Sequence, residues 1–96
     1  MNPNMINKLK KMQKQMMEAQ EALERKEYFG KASGVTVVLQ GTRQVIDVQI
    51  NPEMIEEVEM LQDSILIAMN DALKQIEKEQ EATMGQFSGG LGGFGF

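Results

Sequence analysis

Residues 35–52 read Val-Thr-Val-Val-Leu-Gln-Gly-Thr-Arg-Gln-Val-Ile-Asp-Val-Gln-Ile-Asn-Pro. This stretch decides the fold, because its apolar residues alternate while the chain on either side repeats every three to four. Val35 to Leu39 is β-branched and bounded by Gly34 and Gly41, so it reads as a strand. Gln40-Gly41-Thr42-Arg43 is a hairpin connection. Val45 to Ile50 is the returning strand, with Ile46, Val48 and Ile50 on one face and Asp47 and Gln49 on the other. That alternation predicts one buried and one wetter face. Asn51-Pro52-Glu53 then starts a helix, with asparagine as cap, proline in the first turn and an acid near the positive end of the dipole.

Upstream, Met5, Leu9, Met12, Met16, Ala19 and Leu23 are spaced 4, 3, 4, 3 and 4 apart, a heptad stripe. It predicts a helix from about residue 4 to 26, about 34 Å long at 1.5 Å per residue. Tyr28 to Ala32 is a short, mixed strand candidate ending in a Ser33-Gly34 turn. Downstream, Met54 and Ile55 make a first apolar turn. Val58, Leu61, Ile65, Ala68 or Met69, Ala72 and Ile76 then repeat at helical spacing. This helix is expected to end near Met84, with Gly85 as its stop. The expectation is therefore an α+β protein: a long N-terminal helix, a small antiparallel sheet and a long C-terminal helix in one domain, 1–85. A glycine-rich flexible tail, 86–96, follows.

The chain has 96 residues and neither cysteine nor histidine. That inventory excludes disulfides, the usual zinc sites, a Ser-His-Asp triad and a cysteine nucleophile. Glu56, Glu57, Glu59 and Asp63 cluster, but acids favour helix N-termini for dipole reasons and nothing else supplies a pocket. Nine methionines without a partnering His or Cys read as adaptable packing rather than a copper site. The expectation is no enzyme, no metal, no cofactor and no small-molecule substrate. No run of about 18–20 apolar residues suits a membrane span, and the lysine-bearing N-terminus leads into polar residues rather than a signal core. A soluble, cytoplasmic protein without membrane partners is expected.

Two long rods and one small sheet leave apolar surface uncovered, and such a patch usually marks an interaction surface. A symmetric homodimer is the expected solution. Its apolar interface positions are Met5, Leu9, Met12 and Met16 on the first helix, Val37, Ile46 and Val48 on the strands, and Ile65 on the last helix.

Charge is segregated although the net value is −4. Residues 1–17 carry Lys8, Lys10, Lys11 and Lys14 and no acid, whereas residues 53–81 carry nine acids against Lys74 and Lys78. On a helical wheel Lys10, Lys11 and Lys14 lie opposite the apolar stripe and Lys8 on its flank. This face suits sequence-independent phosphate contact, and a dimer would double it to eight lysines. A charge run also serves as a plain solvated face, and both readings stand at this point. Arg43 at the hairpin and Lys31 before the turn are further candidates for the basic surface. Arg25 and Lys26, interleaved with Glu24 and Glu27, read as ordinary surface pairs.

Several segments together resemble the YbaB/EbfC family of small bacterial nucleoid-associated proteins. They are Lys8-Leu-Lys-Lys-Met-Gln-Lys-Gln-Met-Met17, the Val35 to Gly41 strand, the Val48-Gln-Ile-Asn-Pro52 strand end, Met60-Leu-Gln-Asp63, Ala68-Met-Asn-Asp-Ala72 and the Gly/Phe tail. The resemblance spans about residues 5–85. It implies an α-β-β-β-α protomer, hence a real third strand near 27–32, and a homodimer whose helices project like tweezers. It also implies nucleoid-associated binding of double-stranded DNA with little sequence preference. On that pattern the contacts fall on Lys8, Lys10, Lys11 and Lys14, with Lys74 and Lys78 on the last helix. The rival reading is a protein-interaction clamp, in which the Met-rich helices grip an apolar segment.

Overall fold

The computed structural model describes residues 3–91, in which helix α1 (Pro3–Arg25) leads into strands β1 (Glu27–Ala32), β2 (Val35–Gln40) and β3 (Val45–Ile50). A 3₁₀ turn (Pro52–Glu56) then precedes helix α2 (Val58–Leu91). The strands form an antiparallel meander in the order β1-β2-β3. Tyr28 pairs with Leu39 and Gly30 with Val37 across β1 and β2, and Val37 pairs with Val48 across β2 and β3. The α+β class, the helix boundaries at residues 3 and 25, and all three strands agree with the sequence reading. The short mixed segment before Ser33-Gly34 is a full strand because α2 covers it.

α2 lies across β1 and β2 and leaves β3 uncovered. Tyr28, Val35, Val37 and Leu39 point from the sheet into Ala68, Ala72 and Ile76 of α2, flanked by Leu61, Ile65, Met69 and Leu73. Small residues set the helix-to-sheet distance: a Cβ at Gly30 would fall on the Ala68 carbonyl oxygen and crowd the Ala72 nitrogen. The β1–β2 turn needs its glycine for conformation, with Gly34 at φ +71. After β3, the Asn51 side chain accepts the Glu53 N–H at 3.1 Å as the cap of the 3₁₀ turn. Glu57, at φ −112 and ψ 72, separates that turn from α2, so the helical stretch from Asn51 onward breaks at Glu57, a point that the sequence spacing leaves open.

Two features differ from expectation. α2 continues through Gly85 to Leu91 instead of stopping at Gly85. Gly85 keeps ordinary helical backbone, and an interior glycine costs a helix only about 1 kcal/mol, too little to end one this long. Residues 86–91 of the expected tail are thus helical, and 92–96 lie outside the described residues. Second, β3 is exposed along its whole length in the protomer. A bulge between Val38 and Leu39 pairs Leu39 with Val45 and leaves Ile46 without a direct partner. In keeping with two long helices, the molecule measures 68 × 23 × 12 Å with a radius of gyration of 19.2 Å. A compact chain of this length would have about 12–13 Å.

Candidate nucleic-acid interface

The elongation comes from the helices. Among the described residues of α1 only Leu23, in its last turns, is buried. Its backbone there crosses Gly41, where a Cβ would collide with the Leu23 carbonyl. Met16, Leu23, Gly41, Arg43, Gln80 and Met84 border a cleft of about 480 Å³. Both helices line this cleft, α1 from Met16 to Glu24 and α2 from Gln80 to Met84. Lys8, Lys10, Lys11 and Lys14 all stand exposed on the projecting part of α1. Among the described residues, Lys8, Lys10 and Lys11 have no ion-pair partner. Lys14 approaches Glu18 at 4.0 Å, and both side chains are so exposed that the pair is worth little.

α2 is acidic only as far as Glu81; residues 82–91 carry no charge. The part of α2 that lines the cleft beyond Glu81, at Thr83 and Met84, is thus uncharged. Glu53, Glu56, Glu57, Glu59 and Asp63 sit around the start of α2, at the sheet end of the molecule. No group of acids among the described residues is arranged to hold a metal ion. No helix there is long and apolar enough to cross a membrane.

The remaining candidate cations are scattered. Arg43 lies at the root of the projection with φ +72, and its Nη2 donates to the Gln80 Oε1 at 3.0 Å. Lys31 sits at the far end of β1 from α1, its side chain exposed. Lys74 and Lys78 are exposed on α2, and Lys78 borders an open cleft with Lys26, Tyr28, Phe29, Gln75 and Glu79. The four lysines of α1 thus form one group, with Arg43 near its base, while Lys31, Lys74 and Lys78 lie elsewhere.

The expected apolar interface divides too. Met5, Leu9, Ile46 and Val48 are exposed, and Met12, Met16 and Ile65 are half-buried. Val37 does not belong with them: at 0 % exposure it is central to the core, because α2 covers the face of β2 that it occupies. Of the two aromatics of β1, Tyr28 is buried and Phe29, on the opposite face, is 47 % exposed.

The two sheet edges are treated differently. On β1 the Phe29 carbonyl accepts from Gln75 Nε2 at 2.8 Å, and the Lys31 N–H donates to Asp71 Oδ2 at 3.0 Å. Side chains of α2 thus occupy the outward backbone groups of β1. β3 has no such cover, and Val45, Ile46, Val48 and Ile50 are all exposed along it. The only hint of this in the sequence was the poor helix former Asp71 inside a helix.

The root of the arm holds a cluster that sequence spacing does not reveal. Lys26, between α1 and β1, places its Nζ 2.8 and 2.9 Å from the two oxygens of Glu79, and 5.3 Å from the centre of the Tyr28 ring. Arg25 pairs with Glu21 at 3.5 Å. The neighbours Glu24 and Glu27 are therefore not the partners. Hydrogen bonding from Lys26 holds the Glu79 pKa below its usual range, against the opposing effect of burial. Burial, then the nearby Glu79 carboxylate, push the Tyr28 phenol up to about 12. The phenol oxygen is buried and closes no hydrogen bond of standard geometry.

Comparison with known proteins adds to this geometry. The model of the YbaB/EbfC DNA-binding family matches residues 1–91. A nucleoid-associated protein of Enterococcus faecalis is 46% identical over 94 residues, covering 94% of this chain and 90% of the relative. One from Clostridium kluyveri is 41% identical over 92 residues, with 92% and 81% covered. The fold matches the crystal structure of an uncharacterized protein from Helicobacter pylori at a TM-score of 0.73. That match has 22% identity and covers 90% of this chain and 96% of the other.

Proposed function

Since the chain belongs to the YbaB/EbfC DNA-binding family, we propose that it is a nucleoid-associated protein of the cytoplasm that holds duplex DNA through backbone phosphates, as a homodimer and with little regard for base sequence. The observation that carries this reading is the placement of Lys8, Lys10, Lys11 and Lys14. They stand exposed on the part of α1 that precedes its buried residue, Leu23, and away from the acids around the start of α2. Lysines are point charges that neutralise phosphates without reading bases, and α1 itself carries no aromatic side chain for stacking. Arg43 would extend the surface at the arm root. Lys31, Lys74 and Lys78 are separated from it and contribute less.

The open β3 edge supports the dimer. Val45, Ile46, Val48 and Ile50 form an exposed apolar strand, a surface that a second copy would cover, while the β1 edge is already occupied. Paired at β3, two protomers would place their sheets centrally and their lysine arms outermost. Val48→Glu is expected to halve the mass measured by light scattering; an unchanged mass places the interface elsewhere.

The test of DNA binding is fluorescence anisotropy on unrelated duplexes between 25 and 200 mM salt. Log affinity should fall linearly with log salt, by about 0.9 per neutralised phosphate, and equally on every duplex. Changing Lys10, Lys11 and Lys14 to Ala should flatten that slope. Binding that survives those changes refutes the site. Binding of a protein segment instead, insensitive to salt and lost in Met12 or Met16 variants, would favour the clamp reading, which the exposed Met5, Leu9 and Met17 of α1 keep in play.

A further inference from the structure

α1 is a lever held most firmly at its C-terminal end, with Met12, Met16 and Ala19 half-buried further along it. It joins the sheet through Lys26 alone, and its buried contact is Leu23, at the same end. Three restraints meet there. The Gly41 N–H donates to the Lys26 carbonyl at 3.0 Å, which ties the joint to the β2–β3 hairpin. The Leu23 backbone rests on Gly41, which stops it moving inward. The Lys26 ammonium grips both oxygens of Glu79, which ties the joint to α2. The first two fix where α1 leaves the body. The third acts off the pivot, through a side chain, and bears on the angle at which it leaves.

We propose that the Lys26–Glu79 ion pair sets the angle of α1 against the body and thereby positions the lysine face for DNA, so that Lys26 and Glu79 are positioning residues that touch no phosphate themselves. The inference rests on the DNA-binding reading above. The leverage is large. Lys8 lies 18 residues from Lys26, about 27 Å along a helix, so a tilt of about 10° displaces it by about 5 Å. That exceeds the 3.4 Å rise between successive phosphates on one strand, enough to lose register. Lys26 is unsuited to phosphate contact, because its charge is already engaged and its ammonium lies over the Tyr28 ring.

Glu79→Gln is the decisive variant because two arguments give opposite signs. Removing an acid from an anionic protein should tighten DNA binding if only net charge matters. Releasing the arm should weaken it, since affinity falls by the fraction of arms at the competent angle, about 3–10-fold if that fraction drops to about 10–30%. The salt slope should stay unchanged, because no phosphate contact is lost. The exchange Lys26→Glu with Glu79→Lys restores the pair in reverse and should recover affinity.

The arm itself can be measured without DNA. The chain has no cysteine, so Gln13→Cys with Glu59→Cys gives two unique labelling points in the full-length protein. Double-labelled protein diluted into unlabelled protein reports the distance within one protomer. We expect one narrow distribution for the parent, a broader or shifted one for Glu79→Gln, and recovery in the exchange variant. An unchanged distribution in Glu79→Gln, or tighter DNA binding by it, overturns the positioning role alone. A parent protein that ignores DNA at every salt overturns the DNA-binding reading, and the positioning role with it, even where the distances move.

Discussion

Gly30→Ala tests whether the distance between α2 and the sheet is set by the absence of one side chain. The added Cβ would meet the Ala68 carbonyl oxygen well inside the 3.0 Å limit that real Cβ atoms respect, with the Ala72 nitrogen at 2.7 Å and the Ala68 carbonyl carbon at 2.9 Å. All three are backbone atoms, so no rotamer change relieves them. The helix must lift by about an ångström. Tyr28, Val37, Leu39 and Ile76 would then face a gap, and a gap of 0.5–1 Å forfeits about a quarter to a half of each dispersion contact. Overpacking of this kind costs about 1–3 kcal/mol and occasionally more. Alanine gives back about 0.5–1 kcal/mol by restricting the unfolded chain and suiting a strand better. The net loss is about 1–2 kcal/mol, and at about 4–8 °C per kcal/mol the midpoint should fall by roughly 5–15 °C. The assay is thermal and urea unfolding at one fixed protein concentration, because the proposed dimerisation would make apparent stability concentration-dependent. Gly85→Ala is the paired control. It adds a Cβ where nothing lies within 4 Å, inside a helix, and should stabilise by about 0.5–1 kcal/mol. Equal effects at the two glycines would refute the close-approach argument.

Tyr28 is the only tyrosine, so tyrosinate absorbance reports one group, with an expected midpoint near 12 rather than 10. Because the folded value is raised, the stability it represents is full below pH 10 and is lost as pH rises from 10 toward 12, roughly 2–3 kcal/mol in all. Tyr28→Phe should lack that alkaline loss; a midpoint near 10 in folded protein would contradict the burial. Glu79 has the opposite sign: its folded pKa is depressed, so its contribution holds above the ordinary carboxylate range and fades as pH falls through the lower folded value. Glu79→Gln should therefore flatten the acid limb of a stability–pH curve. Asp71→Ala with Gln75→Ala should uncover the β1 edge and produce species larger than a dimer in light scattering, whereas either change at an edge already blocked by other means would leave the mass unaltered.

The backbone architecture was legible because each element carries its own period. The heptad of Met5 to Leu23, the alternation of Val45 to Ile50 and the Asn51-Pro52 start each specify local structure without help from distant residues. β1 was harder, since Glu-Tyr-Phe-Gly-Lys-Ala has little strand propensity of its own. It becomes a strand because Gly30 lets α2 press onto it and Asp71 and Gln75 occupy its edge. The end of α2 was misread for the converse reason, as Gly85 marks a stop only where the backbone turns left-handed, and here it does not. Of the candidate site, the α1 lysines came straight from spacing, because one helix face is a local property. The Lys26–Glu79 pair spans 53 residues and joins two elements whose packing no local rule specifies. Val37 was placed at an interface because alternation shows that a face is apolar without showing which element covers it.

How an acidic chain is to meet a polyanion depends on distance more than on the total. The net charge is −4, yet the screening length at physiological salt is about 8 Å, far shorter than the 68 Å molecule. Lys8 to Lys14 lie about 18–27 Å along α1 from its joint at Lys26, several screening lengths from that end. Acids that pack near the joint are partly neutralised, as Glu79 is by Lys26, and α2 carries none beyond Glu81. A duplex approaching the projecting end therefore meets a positive field that the acids at the sheet end scarcely reach, and one approaching the sheet end is repelled. Lowering the salt lengthens the reach of both fields, to about 30 Å at 0.01 M, so the acids begin to oppose the lysines. The counterion slope should accordingly be shallower at very low salt than at 0.1–0.2 M. Changing Glu53, Glu56 and Glu57 to Gln should straighten it without altering affinity at the higher salt. A duplex affinity that follows net charge at every salt, rising by the same factor for any acid removed anywhere in the chain, would refute this account of the segregated surface.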